Sequence, residues 1–158
     1  MADVQMQLTE PISRKLLGTG KLYLNVLVKN MQHLDINRYH YVLASIYLRD
    51  GLLTQKELAL LLGKDKSAIV SIIDMLTEKG YVYRQTNPAD RREHLLKCTE
   101  KAKAEVPQIL VAFENMNEKV TEGISDSDMK IFEKVINKMK SNLQPLLNAE
   151  ITQTTKTQ

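Results

Sequence analysis

Residues 54–98 read TQKELALLLGKDKSAIVSIIDMLTEKGYVYRQTNPADRREHLLKC, and signals for helix, turn and strand follow one another closely within them. Residues 54–57 form a capping box, in which the Thr54 hydroxyl accepts the backbone N–H of Glu57 and the Glu57 carboxylate reaches back. Gly63 is suited to end this helix, because glycine adopts a positive φ freely. The predicted buried face consists of Leu58, Leu61 and Leu62.

A second short helix is predicted directly after this turn. Asp65 is placed to cap it, and Gly80 ends it. Its apolar residues recur at helical spacing and form a single stripe: Ile69, Ile72, Ile73 and Leu76. Two short helices joined by a tight turn that contains glycine predict a helix-turn-helix.

A β-hairpin is predicted to follow. Residues 81–86 are aromatic and β-branched, residues 87–90 have turn chemistry, and residues 94–98 are predicted to return as a second strand. A hairpin directly after a helix-turn-helix indicates a winged helix. The predicted fold class is therefore mostly α, with a small β-hairpin as the wing.

The segments on either side of the winged helix are predicted to be helical. One helix is expected over residues 11–31 and another over residues 36–49. Thr99 caps a long helix in which Pro107 predicts a kink or a local break. A final helix starts at Ser125, and its apolar residues, three or four positions apart, form a narrow seam of the kind used between helices: Met129, Phe132, Ile136, Met139, Leu143 and Leu146.

Composition excludes several classes of protein. The 158 residues are 43% apolar and 26% charged, which is compatible with a packed core and argues against disorder. No apolar run approaches the length of about 20 residues that a membrane span needs. A single cysteine, Cys98, allows no disulfide within the chain, and the N-terminus lacks a secretory leader, so a cytoplasmic protein is expected.

Charge is unevenly distributed along the chain. The formal net charge is +3, with a net +3 over residues 54–103 and a net −2 over residues 104–158. The basic part therefore coincides with the predicted helix-turn-helix and wing. This asymmetry is compatible with a nucleic-acid footprint, and equally with a solvated basic face.

The second helix of a helix-turn-helix enters the major groove of DNA. With its apolar stripe buried, the opposite face presents Lys66, Ser67, Val70, Ser71 and Asp74. A lysine neutralises phosphate, serine hydroxyls meet phosphates or bases, and a valine contacts a thymine methyl group. In the wing, Asp90 is expected to brace an arginine by hydrogen bonding, so that Arg91 or Arg92 enters the minor groove. These residues predict an interface with double-stranded DNA.

The same residues resemble the multiple-antibiotic-resistance regulator (MarR) family. The resemblance is carried by Glu57-Leu58-Ala59, by Asp74-x-Leu76-x-x-Lys79-Gly80-Tyr81-Val82, by Asp90-Arg91-Arg92 and by Cys98-Thr99-Glu100-Lys101-Ala102. It covers about residues 8–148. This resemblance implies a transcription regulator, more often a repressor than an activator, that binds a pseudo-palindromic operator as a homodimer.

The resemblance also implies roles for the flanking helices. They would form the dimer interface, with Ile12 and Leu16 from the first helix and the seam from Met129 to Leu146. A ligand pocket would lie where those helices meet the winged domain, near an aromatic and basic group of residues. A small aromatic or phenolic effector would bind there, and the candidate residues are His33, Arg38, Tyr39, His40 and Tyr41.

The chain departs from the family pattern on the DNA-facing helix. Many members have a basic residue where this chain has Ser71, and Met75 occupies another position that is frequently basic. A larger share of DNA binding is therefore expected from Lys64, Lys66 and the wing.

The resulting division of the chain has four parts. Residues 1–35 hold the N-terminal dimerisation helix, residues 36–100 the winged helix-turn-helix, residues 101–148 the C-terminal dimerisation helices, and residues 149–158 a flexible tail. No metal site, cofactor site or catalytic motif is recognised, and Cys98 is interpreted as a packing residue rather than a redox sensor. Two other classes stay open, a winged helix that binds a protein partner instead of DNA, and an enzyme with an unrecognised site.

Overall fold

The computed structural model describes residues 10–154, with side chains described as far as Leu146. The predicted fold class is confirmed. The elements, in chain order, are α1 (Ile12–Asn30), α2 (His40–Leu48), α3 (Gln55–Leu62), α4 (Lys66–Glu78), β1 (Val82–Thr86), β2 (His94–Cys98), α5 (Glu100–Val120) and α6 (Asp126–Thr154). The chain divides into two compact units, the first ending at Val120 and the second beginning at Thr121.

The predicted capping box begins α3. The Thr54 hydroxyl accepts the backbone N–H of Glu57 at 3.2 Å, and the Glu57 carboxylate accepts the backbone N–H of Thr54 at 2.7 Å. The Thr54 hydroxyl also donates to this carboxylate at 2.9 Å, and the two bonds that the carboxylate accepts from Thr54 lower the pKa of Glu57. Gly63 then ends α3 with a φ of 57°, so the chain turns into α4 after only three residues.

The wing is an antiparallel pair in which Val82 faces Cys98 and Thr86 faces His94. Thr54 makes an isolated bridge with Leu95, and the N–H of Leu96 donates to the carbonyl of Leu53 at 2.8 Å. The segment that enters α3 is therefore bonded to the wing, which ties the start of the helix-turn-helix to β2.

A single apolar core holds the first unit together. It includes the complete α4 stripe, together with Leu58 of α3 and Leu96 of β2. The α5 residues Ala102, Val106 and Ile109 are fully buried in the same core, so α5 is part of this unit. The dimerisation role of residues 101–148 stays a prediction. Helix α5 continues through Pro107 without a break.

Helix α2 is shorter than predicted at its N-terminal end. Residues 36–39 form turns rather than helix, and α2 begins at His40. Asn37 has a φ of 52°, a left-handed conformation that an α-helix cannot contain. Ile36 is nevertheless fully buried, so its apolar character comes from the core and not from a helix.

The second unit consists chiefly of α6. The Ser125 hydroxyl accepts the backbone N–H of Asp128 at 3.2 Å, which caps the helix at the predicted residue. The helix runs to Thr154, beyond residue 149, where a flexible tail was predicted to start. The remainder of that predicted tail, residues 155–158, and residues 1–9 of the N-terminal segment lie outside the described residues.

The capping box predicts a measurable loss of stability in the variant Thr54→Ala. The substitution removes the buried Thr54 hydroxyl that accepts the backbone N–H of Glu57, and we expect it to lower the free energy of unfolding by about 1 kcal/mol in urea titrations.

Thr19→Ala is the matched control. Its hydroxyl donates only to the Lys15 carbonyl within α1, where alanine is a better helix former. Equal stability of Thr54→Ala and the wild-type chain would contradict a stabilising role of the box.

Candidate nucleic-acid interface

Helix α4 is held so that one face is buried and the opposite face is open. All four residues of its apolar stripe are buried, with Ile69, Ile73 and Leu76 at 0% exposure. On the other face Lys66, Ser67 and Ser71 are exposed, while Val70 is half-buried. The burial of the stripe therefore determines which side chains can reach a groove of DNA.

Asp65 fixes the N-terminus of α4. Its carboxylate accepts the Ser67 hydroxyl at 2.6 Å and the backbone N–H of Ala68 at 2.8 Å, and these bonds lower the pKa of Asp65. The Ser71 hydroxyl donates to the carbonyl of Ser67 at 3.1 Å. Both serine protons are thus used within the protein, and the serine oxygens remain able to accept hydrogen bonds from base amino groups.

The wing contains the predicted brace between Asp90 and Arg92. One carboxylate oxygen of Asp90 accepts the backbone N–H of Arg92 at 3.0 Å and the guanidinium Nε at 3.1 Å, and the other accepts Nη2 at 3.0 Å. The guanidinium lowers the pKa of Asp90, and the carboxylate raises that of Arg92. These hydrogen bonds fix the orientation of the Arg92 guanidinium. The Arg92 side chain is nevertheless 89% exposed, so it remains accessible to a binding partner.

A groove lies between the wing and α4, the second helix of the helix-turn-helix, which we call the recognition helix. This cavity of about 350 Å³ is lined by Lys66 and Val70 of α4, by Arg92 in the wing, and by residues at the start of α3. Three cationic side chains, those of Lys56, Lys66 and Arg92, line it, with Glu93 as its one carboxylate. We call this cavity the wing groove. An anion that enters it meets a surplus of positive charge.

Sequence reasoning missed some residues of the wing groove. Gln55, Lys56 and His94 line it, although none was predicted to be part of an interface. Lys56 could have been predicted from the sequence, because the capping box identifies the start of α3 and Lys56 lies in the first turn of that helix. His94 could not be predicted from local sequence, because β2 lies beside the start of α3 only in the folded chain, where Thr54 bridges to Leu95. The predicted residues Lys64 and Arg91 are exposed and do not line the wing groove.

The five residues predicted for an effector do not line one cavity. His40 is 1% exposed within the core, and burial lowers the pKa of its imidazole. Tyr39 packs against the core, His33 is exposed, and Arg38 lines a small separate cavity. Of the five, only Tyr41 lines the cavity between α1, α2 and α5. The prediction treated neighbours in sequence as neighbours in space, whereas the start of α2 at residue 40 directs them to different sides.

The cavity between α1, α2 and α5 has a volume of about 580 Å³. We call it the α1–α2–α5 cavity. Its residues combine three aromatic rings, aliphatic side chains and a few polar groups: Tyr23, Leu24, Tyr41, Ala44, Ser45, Leu48, Arg49, Leu110, Phe113 and Asn117. The Tyr23 hydroxyl donates to Asn117 at 2.9 Å, and the rings of Tyr41 and Phe113 meet edge to face. Burial raises the pKa of Tyr23.

Cys98 is 3% exposed, and burial raises the pKa of its thiol to about 11. A thiol that is both buried and protonated at neutral pH lacks the properties of a reactive cysteine. Its position at the end of β2, opposite Val82, agrees with a packing residue.

The residues predicted for a dimer interface differ in exposure. In α1, Ile12 is 61% and Leu16 43% exposed. In α6, Phe132, Leu143 and Leu146 are more than half exposed, while Met129, Ile136 and Met139 are half-buried. Each helix, taken by itself, therefore presents apolar side chains to solvent.

Across the described part of the chain, no group of three or more His, Cys, Asp or Glu side chains could hold a metal ion. None of the described helices has the length and apolar character needed to cross a membrane.

Comparison with known proteins gives one family and many solved structures. A sequence model of the MarR family matches residues 35–93, the segment from the start of the winged helix to the wing tip. The transcriptional regulator SlyA is 21% identical, with a TM-score of 0.78 over 85% of this chain and 94% of that one. A MarR protein from Peptoclostridium difficile is 20% identical, with a TM-score of 0.80 over 92% and 95%.

A third structure is described as a MarR family transcriptional regulator from Listeria monocytogenes, complexed with 26mer DNA. It is 20% identical, with a TM-score of 0.77 over 85% of this chain and 90% of that one. Likeness at these identities shows a shared fold. Together with the match of the MarR family model to residues 35–93, it confirms the resemblance indicated by the sequence motifs.

Proposed function

We propose that this chain, whose residues 35–93 match the MarR family, is a DNA-binding transcription regulator that reads duplex DNA with α4 and the wing. The observation that carries the proposal is the wing groove, in which Lys66 and Val70 of the recognition helix lie beside Arg92 of the wing. Lys56 adds a third cation to the groove. A winged helix bound to DNA needs cationic side chains along the junction between α4 and the wing. This junction follows the phosphate backbone that separates the major groove of DNA from the minor groove.

The side chains divide between positioning and reading. Lys56, Lys64 and Lys66 are placed to neutralise phosphates, and Arg91 adds charge at the wing. Val70, Ser67 and Ser71 face the major groove, where Val70 offers an apolar contact to a thymine methyl group and the serine oxygens accept from base amino groups. Arg92, held by Asp90, is placed to enter a narrow minor groove.

We further propose that the protein acts as a homodimer on a pseudo-palindromic operator. The seam of α6 leaves Phe132, Leu143 and Leu146 exposed, and α1 exposes Ile12 and Leu16. Covering these side chains with a second copy removes apolar surface from water. A two-fold dimer presents two identical wings, which matches two half-sites of opposite orientation. Occupation of an operator inside a promoter excludes other proteins from that duplex, which favours repression.

A small aromatic or phenolic effector is the third part of the proposal. The α1–α2–α5 cavity supports it, because the rings of Tyr23, Tyr41 and Phe113 offer an apolar site for a planar molecule. The side chains of Ser45 and Arg49 supply a hydroxyl and a cation suited to a phenol or a carboxylate. Leu110 and Phe113 belong to α5, whose first turns enter the core beneath the wing, so an occupant of the cavity touches the helix that supports the DNA-binding domain.

We place the protein in the cytoplasm as part of the same proposal. Its target would be chromosomal DNA, and its single cysteine is a free, buried thiol that needs no oxidising compartment.

Removal of Arg92 tests the wing. A duplex is first selected from a random pool by the wild-type protein, and its affinity is measured at several salt concentrations. Binding should weaken steeply as salt rises, because contacts to phosphate release counterions. Arg92→Ala should weaken binding roughly tenfold or more while the unfolding midpoint stays unchanged.

Arg14→Ala provides the control for the loss of one positive charge, since Arg14 is an exposed arginine of α1. Unchanged operator affinity in Arg92→Ala would remove the wing from the mechanism. Failure of the wild-type protein to select any duplex would favour a winged helix that binds a protein partner.

Insertion of a charge into the α6 seam tests the dimer. Phe132→Asp should convert the dimer into monomers in sedimentation velocity experiments, because an unpaired carboxylate in an apolar interface is costly to bury. Asn137→Asp adds the same charge on the opposite side of α6 and should leave the dimer intact. A wild-type chain that sediments as a monomer at micromolar concentration would overturn the dimer.

Titration with benzoate, phenol and 4-hydroxybenzoate tests the effector. A compound that fills the α1–α2–α5 cavity should raise the free energy of unfolding by about 1.4 kcal/mol at ten times its Kd. Tyr41→Ala should abolish this stabilisation, whereas Val111→Ala, an exposed position of α5 outside the cavity, should preserve it. Equal stabilisation of the Tyr41→Ala and wild-type proteins would place the ligand elsewhere, and no stabilisation by any of the three would count against this effector class.

A further inference from the structure

Arg84 of β1 bonds to both helices of the helix-turn-helix. Its Nε donates to the side-chain carbonyl of Gln55 at 2.8 Å, and its Nη2 donates to the carboxylate of Asp74 at 2.6 Å. Gln55 is the first residue of α3, and Asp74 lies on α4 one turn beyond Val70 and Ser71. One guanidinium therefore connects the wing, the first helix of the motif and the recognition helix.

The chemistry of arginine suits this position. The guanidinium is planar and its donors point in fixed directions, so two acceptors on different elements are held at a defined angle to each other. The Arg84 side chain is 26% exposed, and two of its donors are used within the protein. A lysine would place one point charge there and could not reproduce both bonds in the same geometry.

We propose that Arg84 is a positioning residue for DNA binding, which holds the recognition helix and the wing at the mutual angle needed to contact the duplex together. This inference rests on the proposed function. It assigns to Arg84, Asp74 and Gln55 a role that requires no contact between these side chains and DNA.

Asp74 makes the inference testable because two accounts of it predict opposite results. Its side chain is 59% exposed, on the side of α4 that bears Ser71. If Asp74 acted only as a surface charge, its removal would reduce repulsion of phosphates and tighten DNA binding. If Asp74 holds Arg84, its removal frees the guanidinium, loosens the recognition helix relative to the wing, and weakens DNA binding.

The experiment compares Asp74→Ala, Arg84→Gln and the double variant on the selected duplex. We expect each to weaken binding by about twofold to fivefold, an effect the size of a lost ion pair in a partly exposed site. The double variant should bind no more weakly than the weaker of the two single variants, because both single changes remove the contact between Arg84 and Asp74. Glu78→Ala is the matched control, since it removes a carboxylate from the exposed end of the same helix.

The dependence of affinity on salt separates positioning from direct contact. Arg84→Gln should leave the slope of log affinity against log salt unchanged, whereas loss of a phosphate contact would reduce it by about one. Tighter binding by Asp74→Ala, or a reduced slope in Arg84→Gln, would overturn the inference while leaving the proposed function intact.

A second measurement needs no DNA. In thermal unfolding, the midpoint of the double variant should equal that of the lower single variant, because the two side chains form one contact. Independent, additive shifts would show that the contact is not formed in solution and would overturn the inference. Failure of the wild-type chain to bind any duplex would remove the proposed function itself, and a coupled pair would then be a contact of the fold alone.

Discussion

The burial of one face of α4 is the constraint on which the rest of the structure depends. Ile69, Ile73 and Leu76 are fully buried in a core that also contains α3, β2 and α5, so the helix can take only one rotation about its axis. That rotation directs Lys66 and Ser71 outward. The Asp65 cap determines where the helix begins, and the short turn at Gly63 determines how it follows α3. The packing of the apolar stripe therefore determines by itself which side chains of α4 are exposed.

The parts of the fold that sequence reasoning predicted are those completed within a few residues. The capping box joins Thr54 to Glu57, three residues later, and the brace joins Asp90 to Arg92, two residues later. The turn between α3 and α4 depends on the single residue Gly63. Their geometry is therefore contained in the local sequence. Arg84 is different, because its partners Asp74 and Gln55 lie 10 and 29 residues earlier in the chain. Only the folded chain brings these three side chains together, so no local sequence pattern predicts their contact.

The same distinction explains the effector site. His33, Arg38, Tyr39 and His40 are close to Tyr41 in sequence, yet the left-handed turn at Asn37 and the start of α2 separate them in space. Tyr41 instead meets Phe113 from α5. Aromatic residues distant in sequence form the α1–α2–α5 cavity, and its position beside α5 gives an occupant a physical connection to the core beneath the wing.

The central claim is that the exposed face of α4 and the wing together form the surface that binds DNA. Amide hydrogen exchange of the wild-type protein, with and without its selected duplex, measures this for each segment of the chain. We expect the duplex to slow exchange over residues 63–71 and 87–94, because bound DNA excludes water and restricts opening there. Slowed exchange confined to α6, or unchanged exchange at both of these segments in a saturated complex, would contradict the claim.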